Sequence, residues 1–173
     1  IANAYYGKLN GSETNMAEAS MAKALEGTAI DRTVRKQIAD AQAAIQNITQ
    51  PFRNHIGSTE AQQAMEACAA LQASLSEVTN DEDEVEAGAA AVNLRDAVNK
   101  LDEATLQAII NNYVDNVVVP TYKNLKDQNA ILYQTVNAFV ANPSNDGFEA
   151  CATAWMNARQ PWETSEAFLF GPV

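Results

Sequence analysis

Four separate stretches of this chain carry apolar residues three and four positions apart, and none alternates apolar with polar long enough to make a strand. The first stripe is Val34, Ile38, Ala41, Ile45 and Ile48, with capping chemistry at Thr28 and Asp31 and a proline stop at Pro51. The second is Ala64, Cys68, Leu71, Leu75 and Val78, where Thr59 and Gln62 have capping-box spacing. The third runs from about 103 to 141 through Leu106, Ile110, Tyr113 and Val117, then Leu125, Leu132, Val136 and Phe139. Pro120 predicts a kink or break between its halves. The fourth comes after the Asn142-Pro143-Ser144 turn with Phe148, Cys151, Trp155, Ala158, Trp162 and Leu169, and Asp146 and Glu149 as its capping pair. Narrow stripes joined by short turns predict antiparallel helix pairs, and two such pairs predict an all-α, antiparallel four-helix bundle.

Composition agrees with helices, since 7 Gly and 5 Pro in 173 residues leave long runs unbroken. The opening residues, through about 27, read as a short loop-rich segment with one helical turn packed on the bundle. With 11 basic against 22 acidic residues the net charge is −11, so nucleic acid and anionic membrane surfaces are not expected partners. No apolar run reaches the roughly 18–20 residues of a membrane span. Two cysteines and one histidine supply neither a disulfide scaffold nor a zinc site of the usual kind.

Three features bear on function. The acidic run TNDEDEVEAG at Thr79–Gly88 lacks the glycine and ligand spacing of a calcium loop and reads as a flexible linker. His55 sits in a turn with no serine placed beside it, and reads as a surface or capping residue rather than a catalytic base. Cys68 and Cys151 read as small buried hydrophobes, with a disulfide as the alternative in an oxidising compartment. The fourth stripe is richer. Glu163 and Glu166 lie three apart and are neighbours on a helix, with Arg159 four before Glu163. They form either a solvated acidic face in which Arg159 pairs Glu163, or half of a metal site completed from elsewhere.

The final eighty or so residues resemble the amino-terminal part of imelysin-like proteins, the insulin-cleaving membrane protease family. The matching features are Val119-Pro120-Thr121-Tyr122, the Asn142-Pro143-Ser144 turn, and Trp155, Arg159, Trp162, Glu166, Phe168, Gly171 and Pro172. Ile1–Gly7 (IANAYYG) and the helix AQAAIQNITQPF at Ala41–Phe52 resemble the family's carboxy-terminal part instead. Residues 1–78 thus resemble the family's end and residues 89–173 its beginning, joined by an acidic linker at 79–88, as in a permuted chain or a junction between tandem domains. The two helical pairs are expected to close one bundle domain. The linker resembles the stretch beyond the lipid-bearing cysteine of a bacterial lipoprotein, although no such cysteine precedes it.

The family's middle, with its Gly-x-His-x-x-Glu motif, has no counterpart here, and His55 is not part of that pattern. The resemblance implies a bacterial envelope protein, periplasmic or anchored at the outer membrane, associated with iron uptake. It implies iron or another divalent cation as ligand and other envelope iron-uptake proteins as partners; Glu163 and Glu166 are the candidate metal-site contributors, Glu166 favoured because it lies in the matched SEAFLFGP stretch. No catalytic residue is assigned. A non-enzymatic binding or accessory module is the leading expectation, a metallopeptidase or part of one the second, and a purely structural interaction bundle the third.

Overall fold

A computed structural model describes residues 1–76 and 93–168. Its long elements are helices, and the described residues contain only one isolated bridge, Ser12 to Asn15, in place of a sheet. The all-α fold is therefore as the stripes predict. The chain divides into two compact units, 1–110 and 111–173. The linker at 79–88, the stripe ends Val78 and Leu169, and the motif residues Gly171 and Pro172 lie outside the described residues.

In the first unit, α3 (Ala29–Gln46) packs on α4 (Thr59–Ser76). Val34, Ile38 and Ala41 of α3 are buried with Leu71 of α4, and Ile48 forms a smaller cluster with Ala61 and Ala64. Thr28 caps α3 as expected, its Oγ1 accepting from the Asp31 N–H at 3.2 Å. The cap of α4 is not Thr59 but Ser58, whose hydroxyl accepts from the Ala61 N–H at 3.2 Å.

Two members of the first two predicted stripes are displaced. Ile45 is half-exposed, and Cys68 is an exposed free thiol rather than a core residue. The small side chains Ala61 and Ala64 meet α3 instead, so Cys68 turns to one side, beside Ile45 and Met65.

The opening segment contributes more than a loop and a turn. It forms α1 (Ala2–Tyr6) and α2 (Met21–Ala24), and it drives Tyr5 and Tyr6 into the core at 2% and 3% exposure. Such burial is possible only because polar partners meet the Tyr5 hydroxyl. Tyr5 donates to Asp31 Oδ1 at 2.6 Å, and Arg35 Nε donates to the same oxygen at 2.7 Å. Arg35 also donates to the Ala22 carbonyl at 2.8 Å, and the Gly27 N–H donates to Asp31 Oδ2 at 3.3 Å. This network ties residues 5, 22, 27, 31 and 35 together. Gly11 permits the tight loop between α1 and α2, because a Cβ there would lie 2.6 Å from that of Tyr6. The first unit also includes α5 (Leu94–Val98), which Asn93 caps by accepting from the Asp96 N–H at 2.9 Å.

A helix spans the boundary of the units as α6 (Glu103–Tyr113). Pro120 does not break the helical run. A five-residue π turn, Val114–Val118, leads directly into α7 (Val119–Ala141), with Pro120 in its first turn. Proline lacks an N–H, and in the first turn of a helix that donor is not needed. The buried Thr121 hydroxyl donates to the Val117 carbonyl at 2.7 Å. The buried residue of α6 is Ile109, not Ile110, one position from the predicted stripe.

In the second unit, α7 packs against α8 (Asn145–Ser165) along most of their lengths. Ser144 caps α8 by accepting from the Gly147 N–H at 3.0 Å, which displaces the expected Asp146–Glu149 pair. The helix runs through Pro161 without interruption. The buried seam of α8 is Ala154, Ala158, Pro161 and Ser165. The stripe expected on α8 is therefore rotated by about one residue: Ala158 is shared, but Trp155 and Trp162 are half-exposed and Phe148 is exposed. Small residues in the seam let the helix axes approach, and the bulky rings flank the contact instead of filling it. Cys151 is partly buried and free, so neither cysteine is in a disulfide.

Candidate functional site

The candidate residues near the end of the chain lie on the last turns of α8 and the 3₁₀ turn Glu166–Phe168. Seven residues of helix carry Trp155 and Trp162 to the same side, with Arg159 between them. The Arg159 guanidinium lies 5.2 Å from the centre of the Trp155 ring, a cation–π contact. Its Nε donates to Glu163 Oε1. The structure therefore brings Arg159 and Glu163 together as an exposed i,i+4 pair, which commits one of the two candidate carboxylates to a cation of the protein itself.

Glu166 is placed differently. It begins the 3₁₀ turn and is exposed; its backbone N–H donates to the Glu163 and Thr164 carbonyls, and its carboxylate makes no hydrogen bond or ion pair with a described residue. Two positions on, Phe168 meets Tyr113 and Tyr122 edge-on at ring distances of 5.9 and 6.0 Å. Those tyrosines bracket the π turn, so the turn carrying Glu166 is pinned beside it. Burial pushes the Tyr113 phenol above its ordinary pKa.

Among the described residues no group of three or more His, Cys, Asp and Glu side chains is placed to hold a metal ion. A cation held by Glu166 and Glu163 would need further donors from outside them, and Glu163 would have to leave Arg159. His55 comes directly after a short 3₁₀ turn, Phe52–Asn54, its N–H donating to the Phe52 carbonyl at 2.8 Å and its carbonyl accepting from the Ser58 N–H at 3.0 Å. The contact made by Ser58 at that turn is with the His55 backbone, and its hydroxyl serves α4.

Two concavities flank these residues. Leu125, Asn129 and Leu132 of α7 face Trp155, Ala158, Arg159 and Trp162 of α8 across a groove of about 380 Å³. In the first unit, Ile45, Ile48, Phe52, Ile56, Met65 and Cys68 are among the walls of an apolar groove of about 450 Å³ at the turn between α3 and α4. Neither groove is visible in the sequence. Hydrophobicity alone assigns Trp155 and Trp162 to the core, and only packing reveals that they rim a trough. The Tyr5–Asp31–Arg35 network is likewise hidden, although the i,i+4 spacing of Asp31 and Arg35 is a signal that could have found part of it.

One comparison with known proteins falls on the same segment. The family model described as Imelysin, a peptidase family, matches residues 118–173. Iron-regulated protein A of Synechococcus elongatus is 38% identical over 72 residues, covering 39% of this chain and 20% of that protein. The crystal structure of an imelysin peptidase from Bacteroides ovatus matches all of this chain at 44% identity and a TM-score of 0.79. This chain covers 46% of that solved relative, less than half its length. The described residues form an all-α fold that resembles the solved imelysin peptidase. The chain is similar to imelysin-family proteins, and to one that bears the name of an iron-regulated protein.

Proposed function

We propose that this chain is a non-enzymatic binding or accessory module of a bacterial envelope protein, periplasmic or outer-membrane-anchored, that serves iron uptake. The observation that carries the reading is the overlap of two things on one segment. The imelysin match, residues 118–173, contains the Trp155–Arg159–Trp162 face together with Glu163 and Glu166, and a relative of the chain is named for its iron regulation. No described helix is long and apolar enough to cross a membrane.

In this reading iron is cargo, and Glu166 is its first contact because it carries no competing partner among the described residues. Glu163 joins only by exchanging Arg159 for the metal. An exposed ion pair of this kind is worth at most about 1 kcal/mol, so the exchange is not a large barrier. The remaining donors and the other envelope proteins of the uptake route come from outside the described residues.

Titration calorimetry of the chain with ferrous, ferric and zinc ions tests the reading. Saturable binding that Glu166→Gln weakens at least about tenfold (1.4 kcal/mol), and Glu149→Gln leaves unchanged, is the expected result. Equal affinities in all three proteins would remove Glu166 from the site. A second reading is favoured by the solved relative, which is described as a peptidase. It predicts peptide-bond cleavage that a chelator abolishes and added metal restores, whereas the binding-module reading predicts metal uptake without cleavage.

A further inference from the structure

The groove of the second unit has a pattern that the proposed iron contact at Glu166 does not account for. Both walls repeat apolar, polar, apolar at positions i, i+4 and i+7: Leu125, Asn129, Leu132 on α7, and Trp155, Arg159, Trp162 on α8. Because the helices are antiparallel neighbours joined by a short turn, Leu132 lies level with Trp155, Asn129 with Arg159, and Leu125 with Trp162. Seven residues at 1.5 Å each separate the two apolar levels by about 10 Å, with a polar level between. That is the spacing at which a third helix, laid in the trough, offers its own residues i and i+7.

The polar level is equipped to recognise a carboxylate. Arg159 Nε donates to Glu163, but the terminal nitrogens of the guanidinium make no hydrogen bond with a described residue. Asn129 spends one of its two amide N–H donors on the Leu125 carbonyl at 2.8 Å. Trp155 and Trp162 remain 49% and 50% exposed on either side, a large apolar area left in water.

We propose that this groove is a docking site for an amphipathic helix that carries two large aliphatic residues seven positions apart and an acidic residue between them, opposite Arg159. A second copy of the chain is the poorer occupant. Paired about a two-fold axis, the same groove would bring Arg159 towards Arg159, and each chain carries a net charge of −11. The solved relative has more than half its length beyond the region this chain matches, so an imelysin-like protein has further polypeptide from which such a helix can come.

The chain's only two tryptophans both line the groove, so its indole fluorescence reports on this site alone. The probe is a synthetic alanine-rich helical peptide with Leu at two positions seven apart and Glu four after the first. Saturable blue-shifted emission is expected, with affinity at least about tenfold lower when the Glu is replaced by Lys. Arg159→Glu, checked for helix content by circular dichroism, should reverse that preference and bind the Lys peptide better. Equal binding of the Glu, Lys and scrambled peptides, or none at all, would overturn the proposal. So would a stable dimer in sedimentation whose dissociation red-shifts the tryptophan emission, because the occupant would then be a second copy.

Discussion

The clearest decision at the level of single residues is made at Asp31. One buried carboxylate, 4% exposed, accepts from Tyr5, Arg35 and the Gly27 backbone, so its lone pairs are matched by donors from three parts of the chain. A buried charge is tolerated only with such partners. The Tyr5 phenol is affected most. Burial, then its hydrogen bond to Asp31, raises its pKa well above the ordinary value of 10. A phenol that holds its proton more tightly folded than unfolded contributes stability that is complete below pH 10 and declines as pH rises further. Urea midpoints measured from pH 8 to 11 should therefore fall above about pH 10. Tyr5→Phe should lower the midpoint at neutral pH, through loss of the hydrogen bond, and flatten the alkaline decline. An unchanged slope would mean that Tyr6 and Tyr113, whose phenols burial also raises, carry the effect.

Among the elements, sequence spacing locates helices better than it locates their ends or their buried faces. The caps are Ser58 and Ser144 because a serine hydroxyl one residue before the helix reaches the third N–H more directly than the capping-box residues of the sequence pattern. At the start of α8, Ser144→Ala should cost about 1 kcal/mol in chemical denaturation. Asp146→Ala should cost less, as it supplies only favourable charge in the first turn. The stripe of α8 is offset for a physical reason: hydrophobicity marks Trp155 and Trp162 as interior, but close helix contact selects small residues. Ala154, Ala158, Pro161 and Ser165 fit between the axes and the indoles do not. At Pro120 the expected break does not occur, and the irregularity there is a π turn just upstream, with the proline in the first turn of α7.

For the molecule as a whole, the dominant quantity is its charge. A net charge of −11 on 173 residues strains the compact state by self-repulsion, which mobile ions screen. Raising sodium chloride from low ionic strength to about 0.15 M, where the Debye length is about 8 Å, should raise the melting temperature. A fall would show that pairs such as Arg35–Asp31 and Lys36–Asp40 outweigh the general repulsion.

Local chemistry is enough to define the class of fold, the helices carrying each stripe, the turn at Asn142-Pro143-Ser144, and the imelysin resemblance of the final segment. Helical periodicity, the scarcity of glycine and proline, and short motifs are all written within a few residues of one another. The Arg159–Glu163 pair is legible for the same reason, because an i,i+4 contact is internal to one helix. Long-range packing alone makes Tyr5 core, leaves Cys68 exposed, and stands Leu125 and Leu132 across a groove from Trp155 and Trp162. Each of those depends on which side chains from distant positions arrive on the same side, and periodicity within one helix carries no information about its neighbour.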